Sequence, residues 1–222
     1  MNLLFDFDHT LGIDNRLEER VMMELAKKHC QTIPEKEHIL EAIGRFRAGE
    51  ENLGNVIEDA FSGWNCSRSD RRSFFEEFEE RSLALVKAHV RPLPGAVETL
   101  SKLHDAFVPM AILSNGWTKL QHAKAKAIGF PGPVIASEEI GAWKPDQRAF
   151  LLALDQLKFR IDETVYIGDS PEVDIVGAKH AGLRAVWVNL EGKIYPPDLI
   201  APDWTVTSLR SLLELPFDQV EH

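Results

Sequence analysis

The stretch LLFDFDHTLG, residues 3–12, places two carboxylates directly after an apolar run. Its consecutive apolar positions predict a strand at residues 2–6 that is buried on both faces of a parallel sheet. Asp6 and Asp8 follow with one residue between them, and strand periodicity puts both on the same side of an extended backbone. Two like charges beside a buried strand are unfavourable. The stretch therefore predicts a functional site at the end of the first strand.

The rest of the chain alternates between short apolar runs and amphipathic helical patterns. Further strands are predicted at residues 108–114, 164–169 and 184–189, with weaker candidates at 133–137 and 204–208. Helices are predicted between them at about 95–105, 117–128, 146–158 and 171–181. This alternation is typical of an α/β protein with a doubly wound, Rossmann-like parallel sheet.

Residues 15–90 interrupt the alternation. This part has no convincing strand and shows helical patterns at residues 16–29, 34–49 and 68–90. We therefore predict an α/β core made of residues 1–14 and 91–222, and a small all-helical domain made of residues 15–90.

The composition narrows the class of protein. A hydrophobic fraction of 44% and a charged fraction of 27% are those of a soluble globular protein. The net charge of −10 argues against the basic face of a nucleic-acid or membrane binder, so we expect neither partner. No signal-type segment or apolar span is present, and Cys30 and Cys66 have no metal-type spacing. We expect reduced cysteines and a cytoplasmic protein; a monomer and a homodimer both stay open.

Four polar stretches follow predicted strands. They are DFDHT (6–10), LSNG (113–116), WKPD (143–146) and GDSPEVD (168–174). Ligands of open α/β sheets bind outside the carboxyl ends of the strands, so these stretches are expected to converge on one site.

The carboxylates of these stretches predict a metal site. Asp169 or Asp174 alone would be an ordinary helix cap. If Asp169 and Asp174 converge with Asp6 and Asp8, helix capping no longer explains them. Two carboxylates ~4 Å apart repel by about 4 kcal/mol at an effective dielectric constant of 20. A divalent cation relieves this repulsion, and hard oxygen ligands with room for water favour Mg²⁺.

The other two stretches offer groups that bind anions. Ser114, Asn115 and Gly116 supply a hydroxyl and backbone N–H groups at a helix start, although Ser-Asn-Gly is also an ordinary turn sequence. Lys144 precedes Pro145, which excludes it from the helix and lets its ammonium face a phosphate. A solvated surface lysine is the alternative.

Anion donors, an ammonium, Mg²⁺ and two carboxylates are the parts of a phosphoryl-transfer site. Asp6 is the candidate nucleophile that attacks phosphorus. Asp8 is the candidate acid/base, which protonates the leaving oxygen and then deprotonates the water that hydrolyses the aspartyl-phosphate.

The ordered set Asp-x-Asp-x-Thr, Ser-Asn-Gly, Lys-Pro-Asp and Gly-Asp-x4-Asp resembles the haloacid dehalogenase (HAD) superfamily of hydrolases. The resemblance covers residues 1–14 and about 90–210, and the insert at 15–90 is similar to the helical cap of one branch. The resemblance implies that Asp6 is the nucleophile and a Mg²⁺ ligand, and that Asp8 is the acid/base and binds Mg²⁺ through its backbone carbonyl. It implies that Thr10 helps to orient the first motif and that Ser114 and Lys144 bind the phosphate, with Asn115 as a neighbour. Asp169 would be a Mg²⁺ ligand, and Asp174 an outer or water-mediated one.

The resemblance implies a Mg²⁺-dependent phosphatase that acts on a small phosphorylated metabolite, such as a sugar phosphate, phosphoglycolate or a nucleotide. The alternatives are a 2-haloacid dehalogenase and a phospho-accepting signalling module. The dehalogenases lack the acid/base aspartate because a halide leaves without a proton, so Asp8 favours a phosphatase.

Substrate choice is expected where the cap closes over the site. Candidate contacts are Arg45, Arg47, Trp64 and Arg68, which the alternative assigns to a solvated helix end or to packing within the cap. His9 stands where many members of the superfamily carry glycine. It either packs against the cap or lines the substrate pocket.

Overall fold

The apolar run at the start of the chain forms a central strand of a parallel sheet. The computed structural model describes residues 1–32, 35–63 and 71–217. Its strands are β1 (Asn2–Phe5), β2 (Gly12–Ile13), β3 (Arg91–Pro92), β4 (Met110–Ser114), β5 (Val134–Ala136), β6 (Thr164–Gly168), β7 (Arg184–Val188) and β8 (Trp204–Val206). Six of these strands form one parallel sheet in the order β5-β4-β1-β6-β7-β8.

Helices connect the strands, as the sequence predicts. In the described residues they are α1 (Leu17–His29), α2 (Lys36–Arg47), α3 (Leu53–Gly63), α4 (Arg71–His89), α5 (Ala96–Asp105), α6 (Thr118–Ala127), α7 (Ser137–Ile140), α8 (Gln147–Leu157) and α9 (Val176–His180). The predicted α/β class with a parallel sheet is confirmed. Every residue of β4 and β6 is buried, which explains why these strands are apolar on consecutive positions.

The chain divides into two compact units. The sheet unit consists of Met1–Ile13 and Arg91–His222, and the helical unit of Asp14–Val90. The predicted domain boundaries differ from this division by one residue. In the sheet unit, β2 and β3 form a short antiparallel ribbon in which Gly12 pairs with Pro92 and Ile13 with Arg91.

Three local features differ from the prediction. The sequence does not predict β2 and β3, because strands of two residues carry no periodicity. The predicted helix at 171–181 begins as a π-helical turn, Pro171–Ile175, before α9. Cys30 takes part in a disulfide bond, so the expectation that it is reduced is wrong; Cys66, Pro34, Trp64 and Arg68 lie outside the described residues.

None of the helices in the part of the chain that the structure describes combines the length and the apolar character that crossing a bilayer requires.

Candidate active site

Three neighbouring strands bring the first and last polar stretches together. Phe5 of β1 pairs with Ile112 of β4 on one side and with Ile167 of β6 on the other. Asp6 directly follows β1, and its N–H donates to the carbonyl of Ile167 at 2.8 Å. The chain ends of β1, β4 and β6 therefore meet at one edge of the sheet, where the strand order changes direction.

Lys144 is the centre of a buried polar cluster. Its side chain is only 2% exposed. Its Nζ donates to Asp6 Oδ1 at 2.6 Å, Asp174 Oδ1 at 2.7 Å and the Tyr166 hydroxyl at 2.8 Å. Burial alone lowers the pKa of Lys144, but the carboxylates of Asp174 and Asp6 outweigh burial and raise it. The lysine is therefore a fixed, charged group and not the solvated surface residue of the alternative interpretation.

Three carboxylates form an acidic cluster beside this lysine. One oxygen from each of Asp6, Asp169 and Asp174 lies within 4.8 Å of the other two. Burial raises the pKa of Asp6 from 3.8 to about 8, despite the opposing effect of Lys144. Burial, together with the charge of Asp174, raises the pKa of Asp169 to about 7. The cluster thus resists full ionisation at neutral pH, and it could hold a metal ion.

Asp174 is held from several directions. Its Oδ1 accepts from Lys144 and, at 3.1 Å, from the Tyr166 hydroxyl, while its Oδ2 accepts from the Ser170 N–H at 3.0 Å. Gly168 makes room for this carboxyl group, because a Cβ at that position would lie 2.5 Å from the Asp174 side chain. The glycine before the predicted metal ligand is therefore a steric requirement.

Asp8 forms an ion pair with a second lysine, Lys124. Nζ of Lys124, on α6, lies 3.2 Å from each of the two Asp8 carboxylate oxygens. The Lys124 side chain is fully buried, and the Asp8 side chain is 22% exposed. The two aspartates at the end of β1 are therefore paired with different lysines.

Ser114 is the last residue of β4, and α6 fixes its hydroxyl. The Ser114 Oγ donates to Gln121 Oε1 at 3.2 Å, and both residues are buried. The Gly116 N–H donates to the Ser137 hydroxyl at 2.9 Å, and the Thr118 N–H donates to Glu138. The expectation that exposed N–H groups bind an anion at this helix start is therefore wrong for Gly116, because that group already has a partner within the protein.

Asn115 joins the second polar stretch to the third. Its Nδ2 donates to the backbone carbonyl of Lys144 at 2.8 Å, and its Oδ1 accepts from the Lys144 N–H at 2.9 Å. This reciprocal pair fixes the backbone from which the Lys144 side chain extends. Asn115 therefore has a structural role, because it links the second polar stretch to the third.

Thr10 and His9 occupy different environments in the loop after β1. Thr10 is buried, and its hydroxyl donates to Asp169 Oδ1 at 3.4 Å, linking the first and last polar stretches. His9 is exposed and has a φ of 61°, in the left-handed region that glycine adopts without strain. This conformation explains why glycine suits the position.

The helical unit engages two of the predicted substrate contacts in internal ion pairs. Arg47 Nε donates to the buried Glu18 at 3.0 Å, and Arg47 also lies 3.6 Å from Asp14. Arg45 lies 3.3 Å from Glu51. Trp64 and Arg68, the other two predicted contacts, fall outside the described residues.

The sequence patterns do not predict a role in the site for Tyr166, Gln121 or Lys124. Tyr166 lies inside an apolar strand, where the sequence predicts only a core residue. Gln121 and Lys124 are spaced three residues apart on the buried face of α6, beside Leu120 and Ala125. The sequence signal for Gln121 and Lys124 is a polar residue at a helical position where the pattern calls for an apolar one.

A family model of haloacid dehalogenase-like hydrolases matches residues 1–182. That region contains all four polar stretches. The chain belongs to this family. The resemblance inferred from the motifs is confirmed, and so is the prediction of a hydrolase.

Two relatives of this HAD hydrolase are named for phosphate-releasing activities. It is 35% identical over 131 residues to pyrimidine 5'-nucleotidase YjjG of Escherichia coli, a match over 56% of each chain. It is 33% identical over 226 residues to a glyceraldehyde 3-phosphate phosphatase of Methanocaldococcus jannaschii, a match over 96% of this chain and 95% of the relative. The match thus spans little more than half of the nucleotidase but nearly all of the phosphatase.

Solved structures show the same fold. The HAD hydrolase superimposes on a 2-haloacid dehalogenase from Pseudomonas syringae pv. tomato with a TM-score of 0.70 and 26% identity, over 96% of this chain and 97% of that one.

Proposed function

We propose that this HAD hydrolase is a phosphatase of small phosphorylated metabolites. The observation that carries the proposal is the pair of carboxylates after β1, in which Asp6 contacts Lys144 and Asp8 contacts Lys124. Such a pair supplies a nucleophile and a separate proton donor. The names of the two relatives, a nucleotidase and a phosphatase, support the same reaction class.

In the proposed reaction, an Asp6 carboxylate oxygen attacks phosphorus and the P–O bond to the substrate alcohol breaks. Asp8 gives its proton to the leaving alkoxide, so that a neutral alcohol departs. Asp8, now ionised, takes a proton from a water molecule as that water attacks the phosphorus of the aspartyl-phosphate. The P–O bond to Asp6 breaks, which releases inorganic phosphate and restores the Asp6 carboxylate.

The remaining site residues are proposed to bind the phosphoryl group or to hold those that do. Lys144 is the cation nearest to Asp6 and offsets part of the negative charge that nucleophile and phosphate bring together. We assign Ser114 and Lys144 to phosphate binding, while Asn115 and Thr10 hold the surrounding loops in place.

The acidic cluster fits Mg²⁺. Its donors are the hard carboxylate oxygens that this ion prefers, and burial together with the neighbouring carboxylates raises the pKa of Asp6 and of Asp169 even though Lys144 lies beside them. We propose that Asp6, Asp169 and the Asp8 backbone carbonyl hold the ion, with Asp174 as a direct or water-mediated ligand. When bound, Mg²⁺ would supply positive charge that draws an anionic phosphate toward an anionic nucleophile.

The reaction class depends on Asp8. A halide leaves without a proton, so a dehalogenase has no use for a second carboxylate held two residues after the nucleophile. An alkoxide does need a proton. This chemistry favours a phosphatase despite the structural likeness to a dehalogenase.

The test is a panel of sugar phosphates, phosphoglycolate, nucleoside monophosphates and 2-haloacids, incubated with the 222-residue protein with and without Mg²⁺. We expect Mg²⁺-dependent release of inorganic phosphate, which Asp6→Asn abolishes. Circular dichroism provides the folding control for this variant. Full activity of Asp6→Asn would refute the nucleophile, release of halide alone would favour a dehalogenase, and an aspartyl-phosphate that persists for minutes would favour a signalling module.

A further inference from the structure

A fully buried lysine on α6, Lys124, contacts the carboxylate that the proposed reaction uses for proton transfer. Its Nζ is 3.2 Å from both oxygens of Asp8, and its side chain has no exposed surface. An ammonium is rarely buried to this extent, because its loss of hydration must be offset by a charged partner. The contact is therefore a specific feature of the site and not a surface ion pair.

The helix that carries this lysine provides a rigid support. Gln121 and Lys124 lie three residues apart, so both project from the same buried face of α6. Gln121 bonds to the Ser114 hydroxyl and to the Asn115 carbonyl, and Lys124 bonds to Asp8. One face of α6 thus contacts two polar stretches: residues 113–116 through Gln121 and residues 6–10 through Lys124.

Asp8 needs such support because it lies on a loop. It follows β1 by three positions, its side chain is 22% exposed, and the next residue, His9, has a φ of 61°. Lys144 cannot serve this purpose, because it belongs to the cluster around Asp6 and donates to the Asp6 carboxylate at 2.6 Å. A partly exposed carboxylate on a loop would otherwise sample several rotamers, whereas proton transfer requires one.

We propose that Lys124 is a positioning residue that holds the Asp8 carboxylate in the orientation required for proton transfer. This inference rests on the proposed phosphatase function, in which Asp8 is the acid/base. Contact with both oxygens restricts rotation of the carboxylate, and a carboxylate has about four lone-pair sites, which leaves others for the leaving oxygen and for water. Lys124 is assigned no proton transfer of its own: it acts through Asp8, by holding the carboxylate that exchanges the proton.

The principal experiment compares wild type, Lys124→Gln, Asp8→Asn and the double variant, with Lys126→Gln as the matched control. Lys126 is an exposed lysine on the same helix. With an alkyl phosphate, we expect Lys124→Gln to lower kcat by about 10²-fold with little change in KM, as is typical for a misplaced catalytic group. Lys126→Gln should leave both constants within about twofold of wild type, since surface changes are usually small.

The double variant separates positioning of Asp8 from any other role. If Lys124 acts through Asp8, its loss has no further effect once Asp8 is replaced, so the double variant should match Asp8→Asn. The assignment would be overturned if the losses in kcat of the two single variants multiplied in the double variant. It would also be overturned if Lys124→Gln were as active as the Lys126→Gln control. An inactive wild type on every phosphate monoester would instead refute the proposed function.

The leaving group gives a second readout that a general loss of structure would not move. p-Nitrophenolate leaves without a proton, so the first step should stay fast in Lys124→Gln while hydrolysis of the aspartyl-phosphate, which needs Asp8 as base, slows. We expect a burst of p-nitrophenolate of about one equivalent per enzyme, followed by slow turnover. Equal slowing of the burst phase and of later turnover would contradict the proposal.

A crystal structure of Lys124→Met tests the geometry without relying on turnover. The expected result is a displaced or disordered Asp8 carboxylate with an unchanged contact between Asp6 and Lys144. An Asp8 side chain in its original position would overturn the proposal. Failure of both Lys124 variants to fold would also overturn it, because the lysine would then serve folding and not proton transfer.

Discussion

The buried cluster around Lys144 shows how single residues determine the electrostatics of this site. Asp6 and Asp174 both contact the lysine, and Tyr166 contacts the lysine and Asp174 together. Each member satisfies hydrogen-bonding groups that burial would otherwise leave without partners. Removal of one member therefore affects the others, because a buried group without its partner keeps the cost of its lost hydration.

The Tyr166 hydroxyl should contribute measurably to stability. Tyr166→Phe removes an acceptor from Lys144 and a donor to Asp174, so we expect the free energy of unfolding to fall by about 1–3 kcal/mol. Urea denaturation measures the change. Tyr195→Phe is the matched control, because its hydroxyl bonds to the Ile200 carbonyl in an exposed region; an equal effect of the two substitutions would contradict the prediction.

Gly168 should tolerate no side chain. In Gly168→Ala the new Cβ would meet the Asp174 carboxyl group at 2.5 Å, so that carboxylate or the backbone has to move. We expect a loss of about 1–3 kcal/mol of stability, as for overpacked sites, together with weaker metal binding. Calorimetry and metal titration measure both effects. Gly44→Ala in α2 meets nothing within 4 Å and should be stabilising; similar behaviour of the two variants would argue against a steric role for Gly168.

At the residue scale, the sequence predicts the charged members of the cluster but not their supports. Asp6 and Asp169 follow apolar runs, Asp174 lies in the first turn of a predicted helix, and Lys144 precedes a proline, so each can be located from a local pattern. Tyr166 interrupts no pattern because its ring packs in the core, and its hydroxyl acquires partners only through tertiary contacts. The catalytic roles of these residues stay predictions until the variants are measured.

At the scale of elements, strand pairing accounts for most of what could be predicted. Strands buried on both faces are apolar at consecutive positions, which identifies β4, β6 and β7 in the sequence. The β2–β3 ribbon has two residues per strand and no such pattern. The partners of α6 depend on how the helix packs, so the sequence marks Gln121 and Lys124 as unusual without indicating what they contact.

Packing of α1 against α2 in the helical unit should depend on one ion pair. Glu18 is buried on α1, and Arg47 at the end of α2 is its partner. Arg47→Ala leaves that carboxylate without this arginine, and we expect a loss of about 2 kcal/mol in the free energy of unfolding.

Arg81→Ala is the control for this prediction, because Arg81 pairs with Glu24 at an exposed site and should contribute less than about 1 kcal/mol. Denaturation curves of both variants measure the difference. If Arg47→Ala instead raises KM and leaves stability unchanged, Arg47 contacts the substrate.

At the scale of the whole molecule, the acidic cluster should couple stability to pH and to metal. Burial raises the pKa of Asp6 to about 8 and that of Asp169 to about 7, from 3.8. Between pH 4 and 8 the folded state therefore binds more protons at these groups than the unfolded state does. Their contribution to the free energy of unfolding falls as pH rises through that window.

Mg²⁺ should reverse this loss, because the proposed site would hold the ion through ionised carboxylates. We expect the increase in Tm on adding Mg²⁺ to be larger at pH 8 than at pH 5, and saturation at 100 times the Kd contributes about 2.7 kcal/mol. Thermal unfolding with and without Mg²⁺ measures the effect, with Asp169→Asn as the control that should lose it. A Tm increase that does not vary with pH would contradict the prediction.

The β2–β3 ribbon has a consequence for how this protein could diversify. The chain leaves the sheet unit at Ile13 and returns at Arg91, and these two residues are paired across the ribbon. Because antiparallel partners lie only about 5 Å apart, a segment of almost any length can be grafted between them without stretching the strands that carry the chemistry. Exchange of the inserted segment alone would then leave the polar stretches at the ends of β1, β4 and β6 unchanged in sequence.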